Sequence, residues 1–178
     1  MKKYTKYIII SLIFFTASAA QALEISSTSF AADGSLPKAM EYNDFGCNGD
    51  NQSPQLSWKN APEGTKSFAI TIHDPDAPTT SGWWHWTVYN IPTNVTEIAQ
   101  GATVPEGAKE GVTDYGTTGF GGACPPEGDK PHRYNVTVYA LKVEKLELDP
   151  KTTSGAKLTY MLNSNSIVKS SITGTYSR

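Results

Sequence analysis

The sequence holds only two cysteines, Cys47 and Cys124, and neither has a second cysteine two to four residues away. That spacing excludes a cysteine-based zinc site. Positive charge is also scarce, with 15 Lys and Arg against 17 Asp and Glu. An acidic chain without a basic stripe is poorly matched to nucleic acid or to an anionic membrane surface. There is no internal repeat, low-complexity run or linker. Nucleophile motifs are missing too: G-x-S-x-G, H-E-x-x-H and a Cys–His pair in an activating context do not occur. The expectation is therefore a protein that is not an enzyme. From Leu23 onward no apolar run is long enough to cross a bilayer.

An apolar run does stand at the start. Residues 7–15 follow Lys2, Lys3 and Lys6, and Ala20-Gln21-Ala22 has the small-x-small pattern of a cleavage site. Residues 1–22 read as a secretory signal peptide, and 23–178 as one domain with enough chain for a real core. The expected location is the periplasm, or secretion beyond it, with no transmembrane segment after cleavage. Without the three leader lysines, 12 basic residues face 17 acidic ones, a net charge of −5. Export places Cys47 and Cys124 in an oxidising compartment, where an even pair predicts a disulfide; two buried free thiols are the alternative.

Turn signals recur along the chain: Asp33-Gly34, Asn48-Gly49, Ser81-Gly82, Glu106-Gly107, Glu127-Gly128. Between them, residues 67–74 alternate, with Phe68, Ile70 and Ile72 on one face and Ala69, Thr71 and His73 on the other. Residues 84–91 and 134–143 are rich in aromatic and β-branched side chains. Ser154 can cap a helix running to about Asn163, with Leu158, Met161 and Leu162 as its apolar face. Residues 166–172 suit a short helix or a strand. The predicted class is mainly β: an antiparallel sandwich with a little helix near the C-terminus.

Two stretches concentrate the chemistry. "HDPDAPTTSGWWHW", residues 73–86, mixes Asp74 and Asp76 with His73, His85 and three tryptophans. A core does not need those acids, and a solvated loop does not need those tryptophans. Spacing i, i+2 across a proline does not suit a glycosidase pair, and turn-forming aspartates are the plainer reading. His73, His85 and His132 show no ligand signature, so no metal and no other cofactor are expected. His73 reads as a structural strand residue, and His85 as a donor to an anion. In "GFGGACPPEGDKPHRY", residues 119–134, the Cys-Pro-Pro run keeps the glycines from opening a helix. They read instead as a loop whose backbone N–H groups near Gly122 to Cys124 could hold an anion. Arg133 reads as an ion-pair partner of Asp76, with direct ligand contact as the alternative.

"DPDAP", "WWHW" and "GGACPP…HRY" in this order, with residues 47–70 and the terminal "GTYSR", resemble the phosphatidylethanolamine-binding protein family, also called Raf-kinase-inhibitor-like, in its bacterial YbhB/YbcL branch. The resemblance spans nearly all of the chain after residue 22. It implies two antiparallel β-sheets with peripheral helices and a small preformed pocket for phosphate or phosphoethanolamine. It implies that Asp74, Pro78, His85, Pro125, His132 and Tyr134 line that pocket, and that Ala77–Pro78 is cis. Asp76, Arg133 and Trp84 are expected to support it, the tryptophans as walls. Asp74 is expected to orient the Tyr134 hydroxyl or to grip an ammonium group. Asn165 departs from the His found in many bacterial relatives. The implied function is binding of a small anion or phospholipid head group, regulatory or inhibitory in effect. A hydrolase acting on a phosphorylated or glycan substrate is the alternative. A protein target, a homodimer and an unused pocket all stay open at this point.

Overall fold

The computed structural model describes residues 22–178, so the signal-peptide reading lies outside the described residues apart from its last position. Eight strands form two antiparallel sheets. The larger has the order β6 (Lys109–Glu110), β4 (Trp83–Ile91), β3 (Ser67–Asp74), β7 (His132–Leu141), β8 (Ser166–Tyr176). The smaller has the order β1 (Glu24–Ser26), β2 (Leu56–Lys59), β5 (Glu97–Ile98). The mainly β sandwich predicted from the turn spacing is thus the observed architecture.

The alternation in β3 explains the layering. Phe68, Ile70 and Ile72 point to the small sheet and share a core with Leu56, Trp58, Trp86 and Val88. Ala69, on the opposite face, packs with Tyr89 and Tyr139 beneath Leu158 and Leu162 of α1 (Gly155–Asn165). Both faces of the central strands are therefore covered, one by a sheet and one by a helix. Ser154 caps α1 as expected, its Oγ accepting from the Lys157 N–H at 3.3 Å. Truncating fully buried Leu158 to alanine would cost about 2–5 kcal/mol.

Residues 166–172, left open between helix and strand, belong to β8, which pairs with β7 along its whole length. It lies at an edge of the large sheet, where Lys169 discourages further pairing. Asn165 closes α1, its amide donating to the Met161 carbonyl at 2.8 Å, and so has no part in the pocket described below. Cys47 and Cys124 form the expected disulfide, with Cα atoms 6.0 Å apart. Among the described residues no helix is long and apolar enough to cross a membrane.

Candidate functional site

One end of the large sheet carries the polar chemistry. The C-terminal end of β3 brings Asp74, the start of β4 brings Trp83 and His85, and the start of β7 brings His132 and Tyr134. His132 and Tyr134 share a face because strand side chains alternate. β4 needs a further device. Its register against β3 slips between Ile72 and His73, leaving His85 as an extra residue between Trp84 and Trp86. Such a bulge re-aims side chains, so His85 and Trp86 both serve the inner side. Gly82 permits the approach to β4: its φ is +70°, and a Cβ there would lie 2.3 Å from the Asp74 carbonyl oxygen.

These residues enclose a cavity of about 180 Å³, room for a small polar head group. All six positions implied by the resemblance line it: Asp74, Pro78, His85, Pro125, His132 and Tyr134. Phe45, Trp83 and Tyr115 complete its walls.

Asp74 is buried and fully engaged. Its Oδ1 accepts from the N–H groups of Asp76 at 2.8 Å and Ala77 at 3.1 Å, and its Oδ2 accepts from His132 Nδ1 at 2.7 Å. The turn-forming reading of one aspartate thus applies to Asp74 itself. His132, 0% exposed, also reaches Asp129 Oδ2 from Nε2 at 3.3 Å. With a carboxylate on each nitrogen the ring is set up as an imidazolium. Burial pushes its pKa down, but the hydrogen bonds and charges of Asp74 and Asp129 outweigh burial and hold it above the ordinary value.

Three residues lining the cavity each carry a buried polar atom without a hydrogen-bond partner: Trp83 Nε1, His85 Nε2 and the Tyr134 hydroxyl. The expectation that Asp74 orients Tyr134 is therefore corrected, because Asp74 directs its oxygens to His132 and the turn. Burial raises the Tyr134 phenol pKa strongly, keeping it a neutral donor. His85 directs Nδ1 to the carbonyls of Gly121 at 2.8 Å and Gly122 at 3.0 Å. Burial pushes its pKa down to about 4 despite those carbonyls.

Of the N–H groups that the sequence suggested near Gly122 to Cys124, those of Gly122 and Ala123 are already engaged. Gly121 N–H donates to the His85 carbonyl at 2.8 Å, Gly122 N–H to Asn51 Oδ1 at 2.7 Å, and Ala123 N–H to the Met40 carbonyl at 3.0 Å. The loop pairs with the Met40–Tyr42 segment so closely that a Cβ at Gly122 would lie 2.4 Å from the Met40 oxygen. The carbonyls of Gly121 and Gly122 hold His85, and Cys124, Pro125 and Pro126 line the pocket.

The supporting residues divide. Arg133 pairs with Asp76 through Nε at 2.8 Å and Nη2 at 2.9 Å, and donates its backbone N–H at 2.9 Å, as expected. Those contacts hold the Asp76 carboxyl well below the usual range. Trp84 does not wall the pocket. It stacks on His73 at 4.1 Å on the outer face, and a Cβ at Gly155 would lie 2.1 Å from its ring. Of the three tryptophans only Trp83 reaches the cavity; Trp86 is core, its indole donating to Glu110 at 2.7 Å. The Ala77–Pro78 bond is trans, since no cis peptide occurs among the described residues. Three hydrogen bonds bend the loop without it: Asp74 accepts from the N–H groups of Asp76 and Ala77, and Thr79 N–H donates to the Ala77 carbonyl at 2.7 Å.

Tyr115 was missed because an isolated "TDYGTT" gives no signal of what it packs on. It stacks with Tyr42 at 4.0 Å, meets Trp83 edge-on at 5.3 Å, and donates to the Gly122 carbonyl at 2.9 Å. Phe45 stands at the mouth, 64% exposed and at φ +55°, an uncommon conformation for a bulky residue. Arg178 ties two rims together, donating to the Pro125 carbonyl at 2.6 Å and the Gly46 carbonyl at 2.9 Å.

Comparison with known proteins places this geometry. A family profile described as phosphatidylethanolamine-binding protein matches residues 26–177. The UPF0098 protein YbcL of Escherichia coli K12 is 48% identical over 99% of this chain and 98% of its own. YbhB of the same organism is 44% identical over 80% of this chain and 92% of its own. The crystal structure of E. coli YbcL, described as a member of the mammalian PEBP family, superposes with a TM-score of 0.85 at 49% identity, covering 88% of this chain and 98% of that one.

Proposed function

We propose, starting from the fact that the chain belongs to the phosphatidylethanolamine-binding protein family, that it is an exported protein acting by binding, whose pocket receives a small phosphate-bearing head group. The observation that carries this reading is the trio of buried, unpartnered polar atoms carried by residues of the cavity wall, Trp83 Nε1, His85 Nε2 and the Tyr134 hydroxyl. Leaving a buried polar group unmade costs about 1–3 kcal/mol. Three of them converging on one cavity is an arrangement that ligand oxygens would complete. The hydrogen bond from His132 Nδ1 to Asp74 Oδ2, with the His132 pKa raised, offsets the charge of Asp74 and softens the repulsion an anion would meet. Apolar walls from Phe45, Tyr115 and Pro125 exclude water from those contacts. The Cys47–Cys124 disulfide and the leader pattern before Leu23 both suit an oxidising compartment such as the periplasm. In this reading binding is the activity, and any regulatory effect acts through a protein target.

Titration calorimetry of phosphoethanolamine against protein purified from the periplasm tests this. Saturable 1:1 binding, weakened several-fold in Tyr134→Phe, is the expected result. No heat at millimolar ligand would sink the head-group reading. Steady release of phosphate would replace binding with hydrolysis.

A further inference from the structure

The hydrogen-bonding sense of His85 is set from behind the pocket. Nδ1 faces the carbonyl oxygens of Gly121 and Gly122 at 2.8 and 3.0 Å. Carbonyls only accept, so Nδ1 carries the proton. The carbonyls cannot easily turn away. Gly122 is held by Asn51 through its N–H at 2.7 Å and by the Tyr115 hydroxyl on its oxygen at 2.9 Å. Gly121 is held by its N–H bond to the His85 carbonyl at 2.8 Å. A neutral ring so fixed presents a lone pair, not a proton, at Nε2. That atom is buried and has no partner, and His85 is one of the residues lining the cavity.

The surroundings keep the ring neutral. Burial pushes its pKa down to about 4, the Gly121 and Gly122 carbonyls and the charge of Asp74 on β3 acting the other way without winning. His73 on β3 adds to the lowering. From β7 come His132, its pKa raised by Asp74 and Asp129 against burial, and Tyr134, a neutral phenol. Tyr115, from the loop between β6 and β7, is held neutral by burial. The reading of His85 as a hydrogen-bond donor to an anion, natural from the sequence, is thereby reversed for the neutral ring.

We propose, resting on the head-group reading of this pocket, that His85 makes it selective for oxyanions that carry a proton. A phosphate or phosphate monoester donates its P–OH to Nε2, while Trp83 Nε1 and the Tyr134 hydroxyl donate to the remaining oxygens. Sulfate, which has no proton to give near neutral pH, meets the Nε2 lone pair with its own. The second ionisation of a phosphate monoester lies at about pH 6. Above that pH the complex takes up a proton from solvent to keep the P–OH of the bound ligand. Affinity then falls by up to about tenfold per pH unit, the limit for one linked proton.

Two measurements test this, the first needing no ligand. Nitrogen-15 NMR of the free protein between pH 6 and 8 is expected to show His85 protonated at Nδ1 and bare at Nε2. The opposite tautomer, or a charged ring, overturns the proposal. Calorimetry then compares phosphoethanolamine, inorganic phosphate and sulfate at pH 6 and 8, in two buffers of different ionisation enthalpy. The expected result is sulfate bound at least about tenfold more weakly than phosphate, and phosphoethanolamine taking up close to one proton at pH 8. His85→Asn keeps an amide donor for the Gly121 and Gly122 carbonyls but deletes Nε2. It leaves His132 in place, so the loss of proton uptake and of the phosphate preference in this variant assigns both to His85. Phosphoethanolamine binding with sulfate equally tight and no proton uptake overturns the selectivity and leaves the head-group reading standing. Failure of every ligand to bind overturns the head-group reading, and the selectivity with it.

Discussion

Asp74 Oδ2 accepts from His132 Nδ1 at 2.7 Å, joining the end of β3 to the start of β7 across a buried bond. The same carboxylate closes the turn over Asp76 and Ala77. All three donors are N–H groups with no second acceptor at hand, so an amide in place of the carboxylate must turn its own N–H toward one of them. Asp74→Asn is expected to destabilise the protein by about 3 kcal/mol, the scale of breaking a buried pair. The melting temperature would fall by roughly 6–12 °C for a chain of this size. Thermal denaturation by circular dichroism measures it. A change under 2 °C would show that the carboxylate is not the keystone of this end of the sheet.

The two pocket histidines push stability in opposite directions with pH. His132 has a raised pKa, so its contribution is full below the ordinary value of 6.5 and is lost as pH climbs through the raised one. His85 is held down to about 4, so its contribution is full above 6.5 and is lost as pH falls toward 4. The gap from 6.5 to about 4 corresponds to roughly 3 kcal/mol. Urea unfolding between pH 4 and 9 is expected to show a maximum near neutrality. In His85→Asn the acid limb between pH 6.5 and 4 should flatten while the alkaline limb stays. An acid limb unchanged in that variant would place the linkage elsewhere.

How far the sequence could be read depends on which interactions are local. Residues 67–74 showed their period of two, and β3 occupies those same residues, because both faces are buried by apolar partners. Ser154 announced α1 because a cap acts within one turn. The pocket lining came from family motifs, and it could not have come from periodicity. Asp74, His85 and His132 are brought together by strand pairing across tens of residues, which leaves no local trace. The errors cluster where a single register step decides. The bulge at His85 determines which tryptophan faces the pocket, so Trp84 was given the place that Trp83 holds. The amides of Gly122 and Ala123 look free in the sequence because their partners, Asn51 and Met40, lie 71 and 83 residues upstream.

Cys124 lines the cavity and is tied to Cys47, so the disulfide belongs to the pocket wall as well as to the stability of the fold. It closes a loop with a sequence separation of 77. In the chain-entropy picture such a bridge contributes about 4 kcal/mol. The double variant Cys47→Ser, Cys124→Ser is expected to lose about 2–4 kcal/mol in urea unfolding. Because Phe45 and Gly46 adjoin the bridge, phosphoethanolamine binding should weaken further than the stability loss alone explains at a temperature where the variant is fully folded. Unchanged affinity there would assign the bridge to stability only.

Arg178 offers the sharpest test of how the rim is held. Its guanidinium spans from the Pro125 carbonyl, on one side of the mouth, to the Gly46 carbonyl beside Phe45, on the other. It is exposed, so Arg178→Ala should cost little stability, about 1 kcal/mol for its two bonds. The Gly46 bond also lies next to a phenylalanine at positive φ. Such a conformation persists only where its surroundings over-determine it, and Arg178 is among those surroundings. Freed of that bond, Phe45 can relax and the mouth loses a fixed wall. The expected result is a weaker Kd for phosphoethanolamine, by about three- to tenfold for one lost hydrogen-bond equivalent, with the melting temperature nearly unchanged. Arg178→Lys should rescue little, because one ammonium cannot span the two carbonyls as a planar fork does. A wild-type Kd in Arg178→Ala would show that Phe45 and Pro125 keep their places without the clamp.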